Sequence, residues 1–307
     1  MAMHATVLLD EAVDALMTRP DGRYIDGTFG RGGHSRAILT SLSNEGSLLG
    51  IDKDPQAIET ASILEKEDTR FVIAQGSFAD VRQFVGEKNL GLVDGILLDL
   101  GVSSPQLDQA ERGFSFLRDG YLDMRMNPEQ GQSAAQWLAG APEGEIAKVL
   151  KEFGEERFAK RLARAIVKER LSAPIETTLH LAKVIADAHP AWEKGKNPAT
   201  KSFQGIRIFI NNELGDLSAC LDQVLDVLAI GGRLVVISFH SLEDRLVKRF
   251  IKRHVRGDDL PASVPVTEEQ LNRRLKQIGK TVRASVGEVD KNIRLRSAIM
   301  RVAQKIA

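Results

Sequence analysis

Asp26-Gly27-Thr28-Phe29-Gly30-Arg31-Gly32-Gly33-His34 puts a carboxylate and four glycines into nine residues. Such a run lets backbone N–H groups approach a ligand closely. It lacks the lysine of G-x-x-x-x-G-K-[ST] and is not a clean G-x-G-x-x-G, which disfavours a P-loop NTPase and a nicotinamide oxidoreductase. Asp52, in Gly50-Ile51-Asp52-Lys53-Asp54, follows the glycines by about twenty residues, a spacing at which a carboxylate can accept the ribose hydroxyls of an adenosine. Capping of the helix opened by Pro55 is the other reading, stronger for Asp54 than for Asp52. Phe78, in Gln75-Gly76-Ser77-Phe78-Ala79-Asp80, either lies flat on an adenine or packs in the core. Asp99-Leu100-Gly101-Val102-Ser103-Ser104-Pro105-Gln106 is a fourth polar, turn-rich segment. These four loops point to one adenosine-bearing cofactor.

The elements that must position these residues are short apolar runs alternating with helical patterns. Strands are expected at Arg23–Asp26, Ser47–Asp52, Arg70–Ala74 and Val93–Asp99, the last nearly all apolar, as a strand buried on both faces should be. Helix-length segments between them imply crossovers and a parallel sheet. From Pro105 to Phe203 the rhythm changes to helices, expected at 134–138, 143–153, 155–171 and 178–189, with both tryptophans, Trp137 and Trp192. A long amphipathic helix over about 206–229 then leads to a strand at Gly232–Ser238. The fold class expected is α/β, a Rossmann-like sheet with an inserted helical domain. Residues 1–106 and 205–307 form the discontinuous sheet domain, and 107–204 a helical substrate-recognition insertion. Residues 257–265 read as a mobile surface loop, and 292–298 as a basic loop entering a last strand.

The 307 residues have a formal net charge of zero, with 43% apolar and 27% charged residues, which suits a folded soluble chain. The charge is polarised. From Arg245 to Ala307 there are 16 Lys+Arg against 6 Asp+Glu, which leaves the preceding residues at −10. A basic C-terminal fifth suits phosphate contacts, and equally a solvated helix face. There is no apolar run of membrane-spanning length and no signal-type N-terminus, so a cytoplasmic location is expected. The single cysteine, Cys220, excludes internal disulfides and a cysteine-based zinc cluster, and reads as helix filler. No metal is expected.

The glycine run and Ile51-Asp52-Lys53-Asp54-Pro55 resemble the class I S-adenosylmethionine-dependent methyltransferases. A narrower resemblance rests on six motifs in order along the chain: His4–Leu9, Gly27–Ser35, Leu97–Gln106, Arg112–Phe116, Leu122–Met126 and Ser238–Arg245. Together they are similar to the RsmH (MraW) family of bacterial small-subunit (16S) ribosomal RNA cytosine-N4 methyltransferases. The resemblance implies S-adenosyl-L-methionine as cofactor and a cytosine in the decoding region as methyl acceptor, with small-subunit ribosomal RNA as partner, either free or within the ribosomal subunit. A homodimer is left open, since the apolar pattern does not demand one. Carried over by position, Gly32, Gly33 and His34 line the methionine part, Asp52 holds the ribose, Phe78 packs by the adenine, and Asp99 and Gln106 complete the site.

The cytosine amine is a poor nucleophile because its lone pair is delocalised into the ring. It must be held by its hydrogens and aligned with the methyl donor. Many amino-methyltransferases use an Asp or Asn, two prolines and an aromatic for this, whereas Ser103-Ser104-Pro105-Gln106 has one proline and no aromatic. That difference disfavours a DNA amino-methyltransferase. The candidates for accepting the amine hydrogens are Asp99, Ser103 and Ser104, with Phe114 or Phe116 as the stacking surface. His240 follows a strand and either serves the base as contact or proton acceptor, or plays a structural part beside a helix cap expected at Ser241 with Asp244 three residues on. RNA-facing cations are expected among Arg112, Arg118, Arg125, Lys201, Arg207, Lys248, Arg249, Lys252 and Arg253. Residues 157–164 read as a solvated helix whose bases pair with Glu155 and Glu156. An assembly protein that keeps the fold without catalysis is the rival from another class.

Overall fold

Helix α1 (Leu9–Leu16) precedes a strict alternation of strand and helix: β1 (Arg23–Asp26), α2 (Gly33–Ser41), β2 (Ser47–Asp52), α3 (Pro55–Glu67), β3 (Phe71–Gln75), α4 (Val81–Glu87) and β4 (Val93–Asp99). Among the described residues, six helices follow without a strand between them: α5 (Ser104–Asp108), α6 (Ala134–Gly140), α7 (Glu143–Glu152), α8 (Ala159–Arg170), α9 (Thr178–Ala188) and α10 (Thr200–Ile210). The chain then returns through α11 (Glu213–Val227), β5 (Leu228–Ser238), α12 (Ser241–Arg256), β6 (Leu275–Gln277), β7 (Val282–Arg283) and β8 (Ile299–Lys305). This computed structural model describes residues 6–191, 197–258, 271–285, 287, 289 and 293–307. His4, Ala5, Trp192, Asn292 and most of the 257–265 loop lie outside the described residues.

The chain forms two compact units, one of Met1–Gly101 with Leu214–Ala307 and the other of Val102–Glu213. In the first, the strand order is β3-β2-β1-β4-β5-β8-β6, with β7 paired to β8. Strands β1 to β5 run parallel, and β8 is antiparallel to β5, β6 and β7. Ile25, Leu48, Leu49, Ile51, Ile96, Leu97 and Leu98 have no exposed surface, because helices cover both faces of a parallel sheet. The strand progression reverses between β1 and β4, so the crevice that open α/β sheets use for ligands lies at the carboxyl ends of these two strands. Asp26 ends β1 and Asp99 ends β4. The parallel α/β sheet expected from the strand rhythm is therefore present.

The second unit packs its helices around Leu122, Met124, Trp137, Leu150, Leu162, Ile166, Ile185 and Ile206. Trp137 Nε1 donates to Glu145 Oε1 at 2.8 Å, which satisfies the indole in that core. Two local expectations are corrected. The helix expected over about 206–229 is two helices, broken at Asn211 and Asn212. Asn212 has the left-handed φ of 52° that ends a helix, and the Asn211 amide donates to Met124 O at 2.7 Å while its Oδ1 accepts from Met126 N at 2.6 Å. The helix expected from Glu155 begins at Ala159 because Glu155 is left-handed (φ 49°). Glu156 is buried and does not pair with neighbouring bases. Its Oε1 accepts from Phe158 N at 2.8 Å and lies 3.6 Å from His189 Nε2.

Candidate active site

The loop after β1 is stitched to its neighbours by the backbone. Gly27 N donates to Leu97 O at 2.9 Å and Phe29 N to Ile51 O at 3.1 Å, tying the loop to the ends of β4 and β2. Asp26 is fully buried. Its Oδ2 accepts from Ser35 Oγ at 2.7 Å and its Oδ1 from Thr28 N at 3.2 Å, so it fastens the loop to α2, and burial pushes its carboxyl above the usual range. Gly32 holds φ 76° at the start of α2, a conformation that side chains disfavour. A Cβ on Gly33 would stand 2.0 Å from Thr6 Oγ1, so only glycine fits there.

Asp52 organises two turns at once. Its Oδ2 accepts from Gly30 N at 2.7 Å and its Oδ1 from Asp54 N at 2.9 Å. Burial pushes its carboxyl up to about 6 against the opposing effect of those two bonds. Asp54 is the helix cap of the pair, since its Oδ1 accepts from Gln56 N at 3.0 Å at the start of α3. Phe78 is half-buried against the apolar core, and its Cβ would be 3.2 Å from a Cβ on Gly27, so it borders the glycine loop.

The end of β4 brings Asp99 to the same loop. Its backbone N donates to Thr28 Oγ1 at 2.7 Å. Its Oδ2 lies 3.7 Å from His34 Nδ1, and its Oδ1 is buried without a hydrogen-bond partner among the described residues. Burial is the main cause that pushes its carboxyl up to about 6. His34 opposes the shift, and Asp26 and Glu243 add to it. His34 is itself buried, with Nε2 3.1 Å from Val7 O, a contact far away in sequence rather than a local helix-end bond.

Ser103, Ser104 and Gln106 belong to the other unit, at the start of α5. Ser103 N donates to the buried Gln106 Oε1 at 2.9 Å, in a capping box. His240 caps α12, which corrects the expected cap at Ser241. His240 has extended backbone, its Nδ1 accepts from Glu243 N at 3.4 Å, and Glu243 Oε2 accepts from Phe239 N at 2.8 Å and from His240 N at 3.2 Å. Its Nε2 stands 3.1 Å from Glu243 Oε1 but off the hydrogen-bond direction.

Several expected roles are corrected by packing. Phe114 is buried in the helical core and has no free stacking face, while Phe116 is partly buried and packs edge-on against Phe203 at 4.8 Å. Arg112 is buried and donates to the carbonyls of Arg125 and Met126. Arg125 is held by Asp123 at 2.7 and 2.8 Å, and Arg207 by Glu213 at 2.8 and 2.9 Å. These three are internal fasteners. Arg118, Lys201, Lys248, Arg249, Lys252 and Arg253 are exposed. The Cys220 thiol is buried, which pushes it up to about 12 and leaves it inert.

Two residues were not singled out from the sequence. Glu243 is a buried carboxylate in range of Asp99, signalled only by its place three residues after an unusual cap. Asp216 of α11 pairs with Lys53 and accepts from Ser77 Oγ at 2.5 Å, joining the loops after β2 and β3. Nothing in an amphipathic helix marks it.

The family model described as the MraW methylase family matches residues 1–306. The chain belongs to the MraW methylase family. MraW methylases are S-adenosylmethionine-dependent ribosomal RNA methyltransferases, so this chain uses that cofactor and acts on ribosomal RNA. Among solved structures it is similar to a Clostridium thermocellum protein provisionally described as an rRNA methylase, with 10% identity, 99% of this chain and 100% of that chain covered, and a TM-score of 0.47. It is also similar to an rRNA methylase from Streptococcus thermophilus, with 10% identity, both chains fully covered and a TM-score of 0.43. A third is NSun6 from Pyrococcus horikoshii with SFG, with 13% identity, 99% of this chain and 53% of that chain covered, and a TM-score of 0.44. The residues of the MraW methylase fit its cofactor in kind. The backbone at Gly32 and Gly33 admits close approach, and Asp52 retains lone pairs for hydroxyl groups beside the two it spends on Gly30 N and Asp54 N. No helix among the described residues is long and apolar enough to cross a membrane.

Proposed function

We propose that this MraW methylase transfers a methyl group to the N4 amine of a cytosine in the decoding region of small-subunit (16S) ribosomal RNA, with the assembled subunit as its substrate and the cytoplasm as its location. S-adenosylmethionine supplies a methyl group on a sulfonium, an electrophile with a neutral leaving group. Gly32, Gly33 and His34 line its methionine part, Asp52 accepts from its ribose hydroxyls, and Phe78 covers its adenine. Ser103, Ser104 and Gln106 follow Asp99 by seven residues or fewer and are assigned to the site as the family motif implies.

The single observation behind the acceptor assignment is Asp99 Oδ1, a buried carboxylate oxygen that no described residue uses. An unpaired buried acceptor is costly, and an amine hydrogen satisfies it. Holding that hydrogen draws electron density onto N4 and favours a pyramidal nitrogen. As the methyl–nitrogen bond forms, the surplus proton on nitrogen passes to a carboxylate whose pKa of about 6 lets it hold that proton briefly near neutrality. His240 is a positioning residue in this scheme, because Nδ1 is spent on the α12 cap.

The test incubates the protein and labelled S-adenosylmethionine with small subunits from cells lacking the gene, and then identifies the modified nucleoside by mass spectrometry. N4-methylcytidine at one decoding-region position is the expected product. Methyl on another atom overturns the acceptor assignment, and methyl only on free RNA overturns the subunit as substrate.

A further inference from the structure

Six cations of α12 share one face. Arg245, Lys248, Arg249, Lys252, Arg253 and Arg256 recur at spacings of three and four residues, and all six are exposed. The opposite face buries Val247 and Ile251, with Leu246, Phe250 and Val255 packed beside them on the sheet core. From Arg245 to Arg256 the helix contains no acidic residue. The two acids of its first turn are committed elsewhere. Glu243 holds the cap, and Asp244 accepts from Arg301 Nε at 2.7 Å and Nη2 at 3.1 Å. His254 is not part of the stripe. It packs edge-on against Phe250 at 4.7 Å, and burial, with Arg253 and Arg274 beside it, lowers its pKa.

Stability alone does not select such a face. Like charges three or four residues apart on a helix repel, and this stripe contains seven such pairs. The helix dipole rewards cations only in the last turn, which covers Arg253 and Arg256 but not Arg245, Lys248 and Arg249. Repulsion of this kind is relieved by an anionic partner. The stripe extends about 16 Å along the helix, enough for several phosphates. It also starts at the right edge of the sheet: α12 follows the carboxyl end of β5, where Ile237 is the register partner of Asp99.

We propose that the α12 stripe grips the sugar-phosphate backbone of ribosomal RNA next to the methyl-acceptor base. The stripe supplies affinity and register without reading sequence, as phosphate contacts do. The proposal rests on the ribosomal RNA substrate and not on which atom is methylated. An error in the N4 assignment appears in the modified nucleoside, whereas an error here appears only in RNA binding.

The experiment measures binding of the full chain to a small-subunit ribosomal RNA transcript by fluorescence anisotropy across a potassium chloride series. It compares wild type with the combined variant Lys248→Gln, Arg249→Gln, Lys252→Gln and Arg253→Gln. If all four side chains contact phosphates, the slope of log K against log salt becomes shallower by about 3. Cofactor affinity by calorimetry and the thermal midpoint should match wild type. Should the combined variant fold poorly, Lys252→Gln alone should reduce the slope by just under about 1, and Arg249→Lys should preserve it. An unchanged slope in a folded variant overturns the proposal. So does unchanged RNA binding combined with lost binding to vesicles containing anionic lipid, which would assign the stripe to a membrane surface.

Discussion

His34 Nδ1 stands 3.7 Å from Asp99 Oδ2, while Nε2 of the same ring lies 3.1 Å from the Val7 carbonyl. A carbonyl can only accept, so the ring proton belongs on Nε2, and the other nitrogen faces a carboxylate. In the proposed site Asp99 Oδ1, buried without a hydrogen-bond partner among the described residues, is the atom assigned to the acceptor amine.

Burying Asp99 carries a stability penalty that can be measured. Burial pushes its carboxyl up to about 6 in the folded chain, against 3.8 for the ordinary group. Between those values the folded protein keeps a proton that the unfolded chain has released, so stability falls as pH rises through this window. Asp99→Asn removes the penalty. The cofactor-free variant should exceed wild type by up to about 3 kcal/mol at pH 8 and converge with it below about pH 4 in urea unfolding. Equal stability at pH 8 would remove the carboxylate from its buried, charged role.

Asp52 accepts two backbone N–H groups and, in the proposed site, the ribose hydroxyls. Asp52→Asn replaces a charged acceptor with an amide whose NH2 end faces a donor. Cofactor affinity should fall by about 10- to 100-fold, the range expected for losing charge-assisted hydrogen bonds. Titration calorimetry reads this directly, and an unchanged Kd would assign Asp52 to turn formation alone.

Asp216 reaches from α11 to Lys53 and Ser77, and Gln223, two turns further on, donates to Ala79 O at 2.5 Å and accepts from Arg82 N at 3.2 Å. One helix therefore holds the loops that carry Asp52 and Phe78. Asp216→Ala should raise the KM for S-adenosylmethionine by about 5- to 10-fold, with kcat at saturation near wild type. A fall in kcat at unchanged KM would contradict a role in loop positioning.

Gly33 faces Thr6, and a methyl group there has no space. Gly33→Ala should lower both the thermal midpoint and cofactor affinity. Adding Thr6→Ala should recover much of both, because it removes the oxygen that the new methyl meets. A double-mutant cycle with no coupling would show that the two residues act independently.

The four strands that carry the site were legible because parallel strands buried on both faces read as nearly continuous apolar runs, as at Val93–Asp99. The Asp54 cap was legible as one of two readings, because Pro55 marks the first turn of α3. The break between α10 and α11 was not, since Asn211 and Asn212 sit where an amphipathic pattern tolerates polar residues. The role of Asn211 depends on a carbonyl and a backbone N–H more than eighty residues away in sequence. Arg112 and Arg125 looked like surface cations because a sequence does not show the carbonyls and carboxylate that hold them. His240 displaced Ser241 as the cap because a buried Glu243 three residues on completes the box.

Single-turnover methyl transfer by Asp99→Asn, at saturating S-adenosylmethionine and across pH, tests the central claim most directly. Wild type should lose rate as pH falls through about 6, where the carboxylate protonates. The variant should bind cofactor yet transfer methyl at least about 100-fold more slowly, with no acidic limb near that pH. A variant that matches the wild-type rate and keeps the same acidic limb would contradict Asp99 as the group that holds the acceptor amine.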